Sequence, residues 1–352
     1  MSYMAIRQPR WKEVEYSSSK IIKAGKIVRK NESTPEQISV ATSVIDNWRA
    51  AHAYPLHVIY MHLRGMSKDR DDIIVAERLK RLDSIINKLK RQPTMSLWEM
   101  QDLGGCRFIV PTVAEVYSYA EQYKNSRIRH KLVNTYDYIA SPKTSGYRSL
   151  HLVFQFQSDT ESKQSYNQNM MIEIQFRTHL QHVWATAVET IGLFTKQALK
   201  AGQGDEDIKR FFVLISSLFA IRENCQVVPG TLADQTELIS EVEQLNDRHH
   251  ILDMLRAIRV AVGHEVDRQH DKKGYYILIL NYETKRLRVR YFQASEAEEA
   301  NAIYSQIESQ RSETKIDAVL VRATSFQTLR AAYPNYFLDI GEFVDIIKEY
   351  LS

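Results

Sequence analysis

Two stretches of alternating polarity constrain this chain more tightly than any other feature. In TSGYRSLHLVFQF, residues 144–156, Leu150, Leu152, Phe154 and Phe156 fall on one side of an extended backbone, and Tyr147, Ser149 and His151 on the other. MMIEIQFR repeats the division, with Met170, Ile172, Ile174 and Phe176 inward and Glu173, Gln175 and Arg177 outward. A period of two belongs to strands, not helices. If the two strands are neighbours, their second faces join into one surface that is too polar for a core and is free to carry chemistry.

The surrounding pattern places those strands in an α+β protein, a mixed sheet with flanking helices. STPEQISVATSVIDNW predicts a helix, with Thr34 as N-cap, Pro35 in the first turn and Gln37 closing a capping box. From Leu79 to Leu89 the apolar residues share one helical face and leave Lys80, Ser84 and Lys88 on another. Arg78 does not fit that wheel. If the helix begins only near Ser84, Arg78 and Lys80 lie on an extended segment and point the same way. After Gly105 come a strand over CRFIV, a helix over TVAEVYSYAEQY, strands around HKLVNTYDYI and the two alternating stretches, and a long helix from Thr178. The polar run RQHDKKG, residues 268–274, reads as a linker between a domain of residues 1–270 and a small α+β domain of residues 271–352, which opens with the hairpin YYILILNY and RLRVRYF.

Residue chemistry narrows the function. DLGGCR sets Asp102 just before a strand, with Gly104 and Gly105 allowing close backbone approach and Arg107 projecting from the strand start. Asp102 and Glu173 are candidate Mg²⁺ ligands, since this ion is held by one or two carboxylates plus substrate phosphates. Arg78, Lys80, Lys88, Arg107 and Arg148 are the cations available to neutralise those phosphates. The set points to phosphoryl or pyrophosphoryl transfer, with the ring of Tyr147 suited to stacking on a base. Net charge is only +4, so distribution matters more than the sum; Lys20, Lys23, Lys26, Arg29 and Lys30 recur near every third position and form a cationic stripe if helical, a candidate RNA contact. The two cysteines, Cys106 and Cys225, suggest neither a disulfide framework nor a zinc site. The longest apolar run, FFVLISSLFAI, is too short to span a bilayer and the N-terminus lacks signal-peptide order, so a cytoplasmic protein without a membrane partner is expected.

RLKRLDSIINKL, DLGGCR, SGYRSLH and EIQFRT occur in the order and spacing of the RelA/SpoT synthetase domain, which residues 75–180 resemble. The resemblance implies a nucleotidyltransferase-like sheet that moves the β,γ-pyrophosphate of ATP to a ribose 3′-hydroxyl with Mg²⁺. It implies that Arg78, Lys80, Ser84 and Lys88 bind ATP, joined by Arg107, Gln175 and Arg177. Asp102 and Glu173 become the catalytic, metal-binding carboxylates, and Tyr147, with Arg148 and His151, meets the acceptor. The acceptor itself stays open between free nucleotides, giving (p)ppGpp or (p)ppApp, and the 3′ end of tRNA.

Near the chain end, AYPNYFLDIGEF carries Tyr333 and Tyr336 around a Pro-Asn turn. This Tyr-x-x-Tyr motif and the two-part layout resemble the CapRel group of fused toxin-antitoxin proteins, in which a tRNA-modifying toxin precedes a pseudo-zinc-finger-like antitoxin domain. That resemblance implies autoinhibition by Tyr333 and Tyr336, relieved when a phage capsid protein binds the C-terminal domain. His249, His250, His264 and His270 lack cysteine partners and ligand spacing, so no metal is assigned to them.

Overall fold

The computed structural model describes residues 11–30, 32–198, 205–260, 263–265, 272–281, 284, 286–309, 316–337 and 340–352. The helices are α1 (Ser18–Arg29), α2 (Pro35–Ala51), α3 (Ala53–Met66), α4 (Leu82–Arg91), α5 (Val113–Lys124), α6 (His179–Ala198), α7 (Asp205–Arg222), α8 (Gln235–His249), α9 (Ile251–Val260), α10 (Ala297–Ser309), α11 (Phe326–Ala332), α12 (Pro334–Phe337) and α13 (Gly341–Tyr350). The strands are β1 (Ile74–Leu79), β2 (Gly104–Val110), β3 (Lys131–Asp137), β4 (Leu150–Gln155), β5 (Met171–Thr178), β6 (Gly263–Glu265), β7 (Gly274–Asn281), β8 (Arg286–Gln293) and β9 (Ile316–Ala323). The architecture is α+β with a mixed sheet, as the patterning predicts. Thr34 caps α2 through the expected capping box, its hydroxyl accepting from the Gln37 amide while the Gln37 side chain accepts from the Thr34 amide.

The strands form one sheet in the order β3-β4-β5-β2-β1-β9-β7-β8-β6. Registry builds the polar face. β4 runs antiparallel to β5 with His151 opposite Gln175, and β5 runs parallel to β2 with Gly105 opposite Glu173 and Arg107 opposite Gln175. β1 lies antiparallel to β2 with Arg78 opposite Gly105. Alternation then sends Cys106, Phe108, Leu152, Phe154, Ile172, Ile174 and Phe176 into a core under α3 and α5. Gly104 serves this packing rather than ligand approach: a Cβ there would meet Ile172 Cδ1 at 2.7 Å.

Of the boundary suggested at 268–274, residues 268–271 lie outside the described residues; the strands that follow it join the sheet of the first part. β9 pairs with β1, Glu77 opposite Arg322 and Arg78 opposite Val321, so the C-terminal strands cover an edge that β1 would otherwise leave bare. The last helix belongs to the core of the first part: Ile340, Phe343, Val344 and Ile347 are buried with Val183, Trp184 and the apolar residues of α7, and Phe343 stacks on Phe212 at 5.5 Å. The C-terminal residues are thus tied to the first 270 both by strand pairing and by packing. Among the described residues no helix is long and apolar enough to cross a membrane.

Candidate active site

The β4 and β5 side of the polar face is a closed ring of hydrogen bonds. Arg177 Nη2 donates to the Tyr147 hydroxyl at 2.7 Å, Tyr147 meets His151 Nε2 at 2.9 Å, and His151 Nδ1 meets Glu173 Oε1 at 2.9 Å. Gln175 Nε2 donates to Glu173 Oε2 at 2.6 Å and its own oxygen accepts from Arg177 at 2.5 Å. Burial pushes the Tyr147 phenol up, so it keeps its proton and donates to His151, whose other nitrogen then donates to Glu173. Burial also works to raise Glu173, yet the contacts from His151 and Gln175 outweigh it and hold the carboxyl below its ordinary range. Glu173 is therefore ionised. Tyr147 is placed by Gly146, whose φ of +89° lies in the left-handed region and whose hydrogen sits where a Cβ would be 2.8 Å from Trp184 Cζ2.

On the β1 and β2 side, Asp102 is clamped by two lysines. Lys80 Nζ lies 2.8 Å from Oδ2 and Lys88 Nζ 2.9 Å from Oδ1. β1 ends at Leu79 and α4 starts at Leu82, so Arg78 is on a strand as expected and the helix begins two residues before Ser84. Ser84 and Lys88, four residues apart, share a half-buried face of α4. Burial favours the neutral form of Asp102, but the two lysines dominate and hold its carboxyl below the ordinary range. Lys80 is itself lowered by burial, partly offset by Asp102. The Asp102 charge in turn raises Glu173, placing the two carboxylates within electrostatic reach of each other. Two ionised oxygen donors on one face suit Mg²⁺, which completes its shell with phosphates and water; among the described residues no group of three or more His, Cys, Asp or Glu could hold a metal.

Arg107 projects onto this face but is buried by the C-terminal segment. Its Nη1 donates to the Ala332 carbonyl at 3.1 Å, its Nη2 reaches Glu189 Oε1 at 3.4 Å, and its guanidinium lies 5.3 Å from the Tyr333 ring centre. Tyr333 is wholly buried, among Ala76, Leu329, Ala332 and Phe337. The side chain of Tyr336 lies outside the described residues.

Two expectations need correction. Arg148 is one residue out of phase with Tyr147 and His151, and it turns away to bond Ser216 Oγ at 3.3 Å, the Ile139 carbonyl at 3.2 Å and the Gln226 carbonyl. It braces the loop before β4 against α7 and does not reach the polar face. In the basic stripe, Lys20, Lys23, Lys26 and Lys30 are exposed, whereas Arg29 donates to the Pro93 and Met95 carbonyls and is spent on the loop after α4. Residues overlooked in the sequence are Tyr136 and Tyr138, whose rings stack at 6.0 Å, and Lys143, 4.2 Å above the Tyr138 ring. Tyr136 sits opposite His151 in register, so the alternation of NTYDY held that signal. Glu189 and His182 had none, because α6 is aimed by tertiary packing.

Comparison with known proteins matches residues 77–195 to the family described as the region found in RelA / SpoT proteins. Two curated relatives from Bacillus subtilis (strain 168) are similar: GTP pyrophosphokinase YwaC, 33% identical over 117 residues (31% of this chain, 52% of the relative), and GTP pyrophosphokinase YjbM, 35% identical over 114 residues (32% and 52%). The chain spans about half the length of these curated relatives. Among solved structures, small alarmone synthetase 1 from Bacillus subtilis bound to its product pppGpp is 26% identical with a TM-score of 0.42, covering 49% of this chain and 89% of that one.

Proposed function

We propose, from the match of residues 77–195 to the region found in RelA / SpoT proteins, that the chain is an ATP-dependent pyrophosphokinase held inactive by its own C-terminal segment. The observation that carries this reading is the closed ring around an ionised Glu173, facing a lysine-clamped Asp102 on the same sheet.

In this mechanism Arg78, Lys80, Ser84, Lys88 and Arg107 bind the ATP side, while Gln175 and Arg177 fix the orientation of Glu173 and Tyr147. The acceptor's 3′-oxygen attacks the β-phosphorus of ATP, its proton passes to Glu173 beside His151, and the bond from that phosphorus to the α-phosphate's bridging oxygen breaks to release AMP. Asp102 and Glu173 would hold Mg²⁺, which when bound supplies positive charge to the phosphates. Tyr147, with Tyr138 beside it at 6.0 Å, offers the acceptor base a stacking surface.

The acceptor in this proposal is the 3′-terminal adenosine of tRNA, which makes the chain a translation-blocking toxin. Support comes from the exposed lysines of α1, a helix packed beside α4 and its Lys88. Tyr333, buried against Arg107, supports closure of the ATP side, and with Tyr336 it forms the inhibitory turn. The trigger is then a protein bound by the C-terminal residues, of the phage capsid class, in an anti-phage role. A second reading, an alarmone synthetase acting on free nucleotides, is favoured by the similarity to two GTP pyrophosphokinases. The deciding experiment offers γ-labelled ATP and Mg²⁺ to the Tyr333→Ala chain with bulk tRNA, GDP, GTP and AMP in competition. Label on tRNA, lost when its terminal adenosine is removed, supports the toxin reading. Label on free nucleotides alone overturns it for the synthetase, and no transfer to any acceptor overturns both.

A further inference from the structure

Arg107 is a phosphate-binding type of residue whose partners are a helix-end carbonyl and a carboxylate. Its Nη1 bonds the carbonyl of Ala332, the last residue of α11, and its Nη2 faces Glu189 of α6. The preceding carbonyl, that of Ala331, is held by His182 Nε2 at 3.0 Å. Helix-end carbonyls have no partner within their own helix and carry its partial negative charge, so α11 points its negative end at a guanidinium. Glu189 adds a full charge. Burial would raise it, but Arg107, then Arg78, Arg177 and Arg81, outweigh that and keep the carboxylate ionised. Three of those arginines come from β1, the turn after it and β2, the elements that frame the nucleotide side, and Arg177 faces them from β5.

We propose that Glu189 and the C-terminal carbonyls of α11 form an internal stand-in for a linear polyphosphate: they hold the arginine cluster in the closed chain, and a nucleotide triphosphate must displace them to bind. This rests on the reading of Arg78 to Arg107 as the nucleotide side and names the regulation of that site. Closure and triphosphate binding then exclude each other, and by reciprocity whatever loosens α11 raises triphosphate affinity, while triphosphate loosens α11. Glu189 acts here as a competitor of substrate and not as a catalytic residue.

The test uses the full chain and inorganic tripolyphosphate as probe, which has the phosphates without the base. By calorimetric titration, Glu189→Gln, nearly isosteric, is expected to bind tripolyphosphate about tenfold more tightly than the unaltered chain, the scale of one hydrogen bond to a charged group. In the unaltered chain, amide hydrogen exchange over residues 326–337 is expected to quicken at saturating tripolyphosphate. Equal or weaker binding by a folded Glu189→Gln chain overturns the proposal, as does unchanged exchange over residues 326–337, a measurement that needs no variant. Tripolyphosphate binding that ignores Lys80→Ala in both backgrounds marks a different failure. It shows that this face is not the nucleotide side, and the proposal falls with that reading.

Discussion

The two halves of the polar face are built on opposite plans. On the β4 and β5 half, Arg177, Tyr147, His151, Glu173 and Gln175 bond to one another, so each side chain is fixed by residues of the same two strands or the turn leading into them. On the β1 and β2 half, Arg107 is fixed by α6 and by α11, which lies more than two hundred residues further along the chain. The first half is organised before any ligand arrives, which is what electrostatic stabilisation of a transition state requires. The second is organised around a segment that, in the mechanism proposed above, a ligand has to replace. On that proposal, constitutive chemistry paired with conditional access lets one sheet carry both an active centre and its lock.

The largest effect expected from breaking this pairing lies on the organised half. Glu173→Gln keeps the shape of the ring but removes the proton acceptor, and labelled-pyrophosphate transfer in the Tyr333→Ala background is expected to fall by about 10² to 10⁴, the range of general acid-base catalysis. Transfer within threefold of the parent would remove Glu173 from its assigned role. Next comes the anchor of the conditional half. Phe343→Ala deletes a buried ring packed on Phe212 and is expected to cost about 3 to 5 kcal/mol in denaturant unfolding. A cost below about 1 kcal/mol would show that α13 contributes little to the core. The same packing makes a chain cut near residue 270 a poor test of the isolated synthetase, since the cut strips Phe343, Val344 and Ile347 from a core shared with α6 and α7.

A smaller effect sharpens the contrast at the lock itself. Tyr333→Ala is expected to raise basal ATP turnover about tenfold, as loss of one closing contact of about 1.4 kcal/mol would, whereas Tyr333→Phe is expected to stay closed because the buried hydroxyl has no hydrogen-bond partner among the described residues. An open Tyr333→Phe chain would mean that the phenol, not the ring, holds the closure. Turnover assays with a thermal melt on each variant separate opening from unfolding.

The organised half was legible in the sequence for a physical reason. Strand alternation and neighbour pairing decide which residues share a face, so Tyr147, His151, Glu173, Gln175 and Arg177 could be grouped before any coordinates. Arg148 failed on the same rule, since its position in the alternation already set it against the others. The conditional half depends on long-range packing that leaves no periodic trace: nothing near Glu189 or His182 in the chain announces Arg107 or α11. A polar run such as 268–274 likewise reports local solvation and not whether the next strand will find the β1 edge.

The subtlest expected effect lies at that edge. Glu77 and Arg322 face each other across β1 and β9; Glu77 lies 4.0 Å from His57 Nδ1, and the Arg322 guanidinium contacts the same imidazole. Burial pushes the Glu77 carboxyl up to about 8 although Arg322 pulls the other way, and burial together with Arg322 takes His57 down to about 3. At neutral pH both are therefore mostly uncharged, beside the Tyr60 and Tyr275 rings that lie under the Arg322 guanidinium. A raised carboxyl stabilises the fold fully below its ordinary pKa, and that contribution is lost as pH rises through about 8. Because His57, lowered from 6.5, contributes with the opposite sign below that value, the seam, and with it α11 just beyond β9, is expected to weaken from about pH 6.5 to about 8, seen as a falling melting temperature and rising basal turnover. Glu77→Gln cannot ionise, so both slopes should flatten over the same range. If they persist unchanged in that variant, the pH dependence belongs to other groups, and β1 and β9 are held by strand pairing alone.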